Sequence, residues 1–256
     1  GLTSFNSNGF SVGTVNMANK SGEDFVSWTF RKTPKFFDIV QYSGNGSAQT
    51  LSHNLGSIPG MIIVKRTDSA GAWRVFHRSL GETKTLTLQT TGAEVTSSVY
   101  WNDTAPTSTQ FTIGTDSSDN GGTYIAYLFA HNNSDGGFGP DSEDIIKCDS
   151  YTGNGSSTGP VINLGFEPQF IMVKRTDDSQ NASWFVFDNM RGIVTGGDDP
   201  YLYWNKTNAE VAGNAIEVTP TGFQLKSTST AFNGSSATYI YMAIRRGGMS
   251  TPTSAS

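Results

Sequence analysis

The sequence predicts an all-β protein built from tandem β-sandwich, jelly-roll-like modules of about 105–110 residues, long enough for each to bury its own core. Three observations predict it. The chain repeats itself: Tyr42-Ser43-Gly44-Asn45-Gly46-Ser47 returns as Tyr151-Thr152-Gly153-Asn154-Gly155-Ser156, and Val64-Lys65-Arg66-Thr67-Asp68 returns as Val173-Lys174-Arg175-Thr176-Asp177. Apolar segments are short, as strands are, and no stretch holds a 3.6-residue apolar period over three turns. Turn residues punctuate them throughout, as at Asn45-Gly46, Gly121-Gly122, Asn154-Gly155 and Asn233-Gly234.

The repeat sets the organisation. Solenoid and propeller units recur at roughly 20–50 residues, so a longer period reads as a string of domains. The expected division is 36–140 for the first repeat and 141–247 for the second. Residues 1–35 are expected to be the C-terminal strands of a preceding partial module and a linker, because Phe10-Ser11-Val12-Gly13 and Phe25-Val26-Ser27-Trp28 echo Phe111-Thr112-Ile113-Gly114 and Tyr124-Ile125-Ala126-Tyr127. Both echo Phe223 to Lys226 and Tyr239 to Met242. A start in mid-module without Met suggests a piece of something longer. Gly136-Gly137-Phe138-Gly139-Pro140-Asp141 reads as the linker between repeats, and 248–256 as a tail or further linker.

Within each repeat, Gly60-Met61-Ile62-Ile63-Val64 and Phe170-Ile171-Met172-Val173 are apolar runs after Pro59 and Pro168, the pattern of strands buried on both faces. Trp73-Arg74-Val75-Phe76 and Trp184-Phe185-Val186-Phe187 read as their antiparallel partners. Thr85-Leu86-Thr87-Leu88 alternates with period two. Tyr124 to Phe129 and Tyr239 to Ile244, apolar on both faces, read as central strands. Gly44-Asn45-Gly46 reads as a hairpin turn. Asp188 to Val194 is the one segment with a short helical turn.

Composition narrows the function. Charged residues are 15% and the net charge is −5, with no cluster of Lys and Arg to neutralise phosphates, so nucleic acid is not an expected partner. The single cysteine, Cys148, leaves no intrachain disulfide or cysteine zinc site and reads as a buried strand thiol. No apolar run approaches the roughly 20 residues of a membrane span, and no signal peptide is evident.

Motifs for chemistry are sparse. His53, His77 and His131 are scattered and read as surface or loop histidines. Carboxylate pairs at Asp177-Asp178, Asp198-Asp199 and Glu143-Asp144 read as solvated loops, without the matched acid and base of a glycosidase. Asp116 to Asn120, Asp135-Gly136-Gly137 and Asp198-Asp199-Pro200 lack the spacing of a calcium loop. No catalytic residue, metal or cofactor is expected. The aromatics recur: Trp73 with Trp184, and Tyr100-Trp101-Asn102 with Tyr203-Trp204-Asn205. A repeated aromatic most often packs a core. Its other use is an exposed ring beside amide groups that stacks on a sugar, which makes these eight residues the candidate ligand-binding set.

Ser52-His53-Asn54-Leu55-Gly56-Ser57-Ile58-Pro59-Gly60 running into Met61 to Asp68, Trp73 to Arg78, Pro106-Thr107-Ser108, Gly121 to His131, and the lead-in Ser27-Trp28-Thr29-Phe30-Arg31-Lys32 carry a resemblance. The chain resembles repeat modules of tail-fibre and related virion structural proteins of marine and cyanobacterial tailed phages. The match spans nearly the whole chain and is closer in the first repeat. The resemblance implies a non-enzymatic virion protein of a tail fibre or appendage, assembled in the host cytoplasm, with other virion proteins as partners, a homo-oligomer (a trimer, as in phage fibres) and a host-surface glycan as ligand. The alternatives at this point are a capsid-decorating protein, a cell-surface adhesin and a glycan depolymerase.

Overall fold

A computed structural model describes residues 1–137, 143–193 and 196–247. Residues Gly1–Arg31 form one unit by themselves: a hairpin of β1 (Leu2–Asn6) and β2 (Gly9–Val12), then a single helical turn α1 (Asn16–Asn19). Phe25-Val26-Ser27-Trp28, expected as a strand, has no strand pairing. Its counterparts in the repeats lie between two neighbouring strands, and residues 1–31 contain the counterpart of neither.

The described residues from Lys32 onward form the second unit. The first repeat contains β3 (Phe37–Ser43), β4 (Gln49–Ser52), β5 (Pro59–Arg66), β6 (Trp73–His77), β7 (Lys84–Thr87), β8 (Val95–Thr96), the helical turn α2 (Ser98–Trp101), β9 (Gln110–Ile113) and β10 (Thr123–Ala130). The second contains β11 (Ile146–Thr152), β12 (Val161–Asn163), β13 (Pro168–Arg175), β14 (Trp184–Asp188), β15 (Asp199–Tyr203), β16 (Val211–Gly213), β17 (Ile216–Thr219), β18 (Gly222–Leu225) and β19 (Thr238–Arg245).

Each repeat supplies every strand of one six-stranded sheet, in the orders β3-β10-β5-β6-β7-β8 and β11-β19-β13-β14-β15-β16. A smaller sheet accompanies each, β4-β9 in the first and β12-β18-β17 in the second, and all named pairs are antiparallel. The arrangement is sandwich-like. In the second repeat the core gathers Ile171, Val173, Phe185, Phe187, Tyr239 and Tyr241 of the large sheet against Ile162, Ile216, Phe223 and Leu225 of the small one. β10 and β19 are central strands, as their two-faced apolar runs predict. Pro59 and Pro168 open β5 and β13 at a break in register, where a missing N–H leaves no ladder position empty.

Three local expectations are corrected. Gly44-Asn45-Gly46 does not close a hairpin: β3 pairs with β10 and β4 with β9, so the turn carries the chain from the large sheet to the small one. A Cβ on Gly44 would lie 2.1 Å from the carbonyl oxygen of Asp119, and Gly153 meets Gly234 in the same way at 2.3 Å, which explains the repeated glycine. The Tyr-Trp-Asn echo is not a structural equivalence. Tyr100 and Trp101 lie in α2, whereas Tyr203 ends β15; the bond from Leu88 N to Trp73 O matches the bond from Trp204 N to Trp184 O, so Trp204 corresponds to Leu88. Asp188 to Arg191 forms a turn in which Asp188 accepts from the Arg191 N–H at 3.0 Å, with no helix. Val194, the centre of the expected linker (138–142) and the tail (248–256) lie outside the described residues.

The outer face of the second large sheet is as buried as its inner face. Cys148, Lys174, Trp184, Val186 and Met242 are each 0% exposed. The first repeat closes this face. The Trp184 indole N–H donates to Thr87 O (3.2 Å), Lys174 Nζ to Thr91 O (3.3 Å), Glu94 N to Thr176 O (2.8 Å), and Cys148 Sγ lies 3.5 Å from Ala130 O.

Candidate functional site

The eight aromatic and amide candidates divide by burial. Trp101, 2% exposed, packs edge-on against Phe76, and Trp184 lies inside the junction, so neither presents a ring to solvent. Sugar stacking at these two is thereby corrected to core packing, the ordinary fate of a large ring. Asn205 is also structural: its side-chain oxygen accepts the Trp184 backbone N–H at 3.0 Å. Trp73, Tyr100, Tyr203 and Trp204 are half-buried, and Asn102 is exposed in a left-handed conformation at the end of α2.

Tyr100 belongs to a charged cluster that the sequence did not signal. Arg74, on β6, stands 4.7 Å over the Tyr100 ring and grips Asp116 with two nitrogens at 2.7 and 2.8 Å. Beside it, Arg66 bonds both Asp68 and Asp119. The guanidinium of Arg66 holds the Asp68 carboxyl at about 2, so the pair stays charged through any ordinary pH. The strands fix this arrangement, since Arg66 ends β5 and Arg74 is the second residue of β6, while Asp116 and Asp119 come from the loop between β9 and β10. In the second repeat the position of Arg74 is taken by Phe185, which turns into the core against Tyr201, Tyr203 and Phe232. There the half-buried Tyr203 has Lys206 4.6 Å from its ring. A cation beside a ring, flanked by carboxylates, offers a sugar both a stacking edge and directional hydrogen bonds.

Two of the histidines are not at the surface as expected. His53 is 5% and His77 1% exposed, each with both ring nitrogens engaged by backbone groups. His77 sits in the junction between repeats with Nε2 3.1 Å from Tyr241 O, while its Nδ1 accepts the Ser79 N–H at 3.3 Å. Ser79 Oγ points instead to Asp149 at 3.2 Å. Serine, histidine and aspartate thus meet here, but the hydroxyl is bonded to the carboxylate and not to the imidazole that would have to take its proton. Burial pushes His77 down to about 4, and burial with Arg78 and Lys147 pushes His131 to about 4. Cys148 is buried as expected, and desolvation raises its thiol far above the usual range.

Among the described residues no group of three or more His, Cys, Asp or Glu is placed to hold a metal, and no helix is long and apolar enough to cross a membrane. Of the loops considered for calcium, Asp116 and Asp119 are paired with arginines.

The junction exposes a repeat not picked out from the sequence. Thr91-Gly92-Ala93-Glu94-Val95 follows β7 and returns as Thr207-Asn208-Ala209-Glu210-Val211 after β15. Its signal was present, but its offset of 116 residues differs from the 109 between Lys65 and Lys174 because the loops between β13 and β14 and between β14 and β15 are both longer than their counterparts.

A family model described as Domain of unknown function (DUF7483) matches residues 1–246. No curated protein matches the chain. No solved structure matches it.

Proposed function

The chain belongs to the DUF7483 family, and we propose that it is a non-enzymatic virion structural protein of a tail fibre or appendage that takes part in host-surface attachment. The reading rests first on the resemblance of residues 27–131 to phage fibre modules. The observation that carries it in the fold is the junction: two sandwich-like repeats, read here as jelly-roll-like modules, are joined through a buried face rather than a free linker. Such a joint transmits orientation from one module to the next, which suits a projecting appendage.

The second element is the half-buried ring of Tyr100 with Arg74 and Asp116 beside it in the first repeat. These are the proposed contacts to a host-surface glycan. Several copies on one particle supply avidity, so each contact can be weak. Because Arg74 is replaced by Phe185, the first repeat is the proposed binding module and the second a spacer.

Immunogold electron microscopy of particles of the phage that encodes the chain tests the reading. Gold on the tail appendage supports it. Gold distributed over the shell makes the protein a capsid decoration, and particles without label remove it from the virion.

A further inference from the structure

The contact that joins the two repeats is heterologous: a segment after β7 of one covers the outer sheet face of the other. Among the described residues, both halves of such a contact recur in the same chain outside the junction. The first repeat has the receiving face, and the second has the covering segment.

The receiving face is recognised by equivalence. Lys174, Thr176, Trp184, Cys148, Ile240 and Met242 in the second repeat correspond to Lys65, Thr67, Trp73, Ile39, Ile125 and Tyr127 in the first. The first six are all buried. The second six are all more open: Ile39 is 36% exposed, Thr67 is exposed, and the other four are half-buried. Lys65 keeps the inner bond that Lys174 makes, Nζ to the carbonyl of the next residue (2.7 against 2.6 Å), but not the outer bond to a covering segment. Among the described residues the Trp73 indole N–H meets no acceptor, where that of Trp184 meets Thr87 O.

The covering segment is equally recognisable. Residues 88–94 and 204–210 are the same length, and each is anchored by an amide oxygen on a tryptophan N–H: Gln89 on Trp73 (2.8 Å), Asn205 on Trp184 (3.0 Å). Residues 91–94 are half-buried against the second repeat, whereas 206–210 are exposed. In the internal junction the segment contributes only main-chain groups to its three hydrogen bonds, the carbonyls of Thr87 and Thr91 and the N–H of Glu94. Tyr203, Thr207 and Glu210 carry the same groups. The side chains that donate, lysine and tryptophan, are kept at 65 and 73.

We propose that segment 203–210 of one copy docks on the Lys65–Trp73 face of a second copy, so that chains associate head to tail through a repetition of their own internal junction. The rest of that junction is not repeated. Gly60, which admits Cys148, corresponds to Gln169, and His77 corresponds to Asp188. The contact between copies is therefore narrower and weaker than the internal one, and the association is concentration-dependent. A heterologous contact of this kind closes into a ring or continues as a filament. The inference stands on the junction geometry and does not depend on the virion reading.

Sedimentation velocity of the 256-residue chain over a concentration series, with two variants, tests it. Lys65→Glu removes the donor of the receiving face, and Ala209→Arg places a long charged side chain on the exposed covering loop. Circular dichroism melts establish that both fold. The wild type is expected to grow in mass with concentration, each variant alone to stay at one chain, and an equimolar mixture of the two to form a dimer and stop there. A wild type of one-chain mass at every concentration overturns the proposal, and so does an association that either variant leaves unchanged.

Discussion

Gly60 and Cys148 meet across the junction so closely that a Cβ on Gly60 would lie 2.7 Å from the Cβ of Cys148, with His131 Cβ at 2.8 Å and Ala130 O at 2.9 Å. The two repeats therefore touch at a point that tolerates only glycine. The contact is unlike a flexible linker, and it makes the orientation of the repeats a property of packing.

Gly60→Ala is expected to destabilise the protein by about 1–3 kcal/mol through overpacking. Cys148→Ala does not rescue it, because the clash is with Cβ and backbone atoms and not with the sulfur. Urea denaturation of the two single variants and the double variant checks both statements.

Acid weakens the junction. His77 has a folded pKa of about 4 against an ordinary value of 6.5, because burial disfavours its charged form. Between those values the unfolded chain binds the proton and the folded one does not. Stability is therefore complete above pH 6.5 and falls as pH drops through 4, by about 3 kcal/mol for this residue. Arg78 opposes the charge on His77 and Asp149 favours it; His131, with Arg78 and Lys147 beside it, adds a loss of the same sign. Melting temperatures from pH 8 to pH 4 are expected to decline, and His77→Gln to flatten the decline.

The two equivalent tryptophans differ in cost. Trp184→Ala empties a fully buried site and loses the bond to Thr87, about 3–5 kcal/mol by the usual cost of a buried ring. Trp73→Ala, half-exposed, is expected to cost clearly less. Equal losses in denaturation midpoints would mean that the receiving face is already closed in the single chain.

Cys148 is expected to resist thiol reagents in the native protein and to react fully in denaturant, since it is 0% exposed and its thiol is held protonated by desolvation. A time course with dithionitrobenzoate measures it. Rapid native labelling would show the junction opening.

Much of the fold is legible in the sequence, for reasons visible at particular residues. The runs before Lys65 and Lys174 are apolar on both faces because one side meets a small sheet and, in the second repeat, the other meets the first repeat. The repeated Gly-Asn-Gly marks a turn, but spacing alone does not say that it joins two sheets, which depends on the partners of β3 and β4. Tyr100-Trp101-Asn102 misleads because three residues match by composition while their backbones are helix and strand. The charged cluster is illegible because Asp116 lies 42 residues from Arg74 and Asp119 lies 53 from Arg66, and only the loop between β9 and β10 brings them together. His77 reads as a loop residue because its contact with Tyr241 comes from the other repeat, 164 residues away in the chain.

The most direct test of the central claim is electron cryomicroscopy of the native particle at side-chain resolution. The account predicts the two repeats end to end in a projecting appendage, Trp184 closed under Thr87, with Tyr100 turned to solvent or glycan. Density for the chain lying flat on the capsid shell, or with the two repeats separated by an open linker, would contradict it.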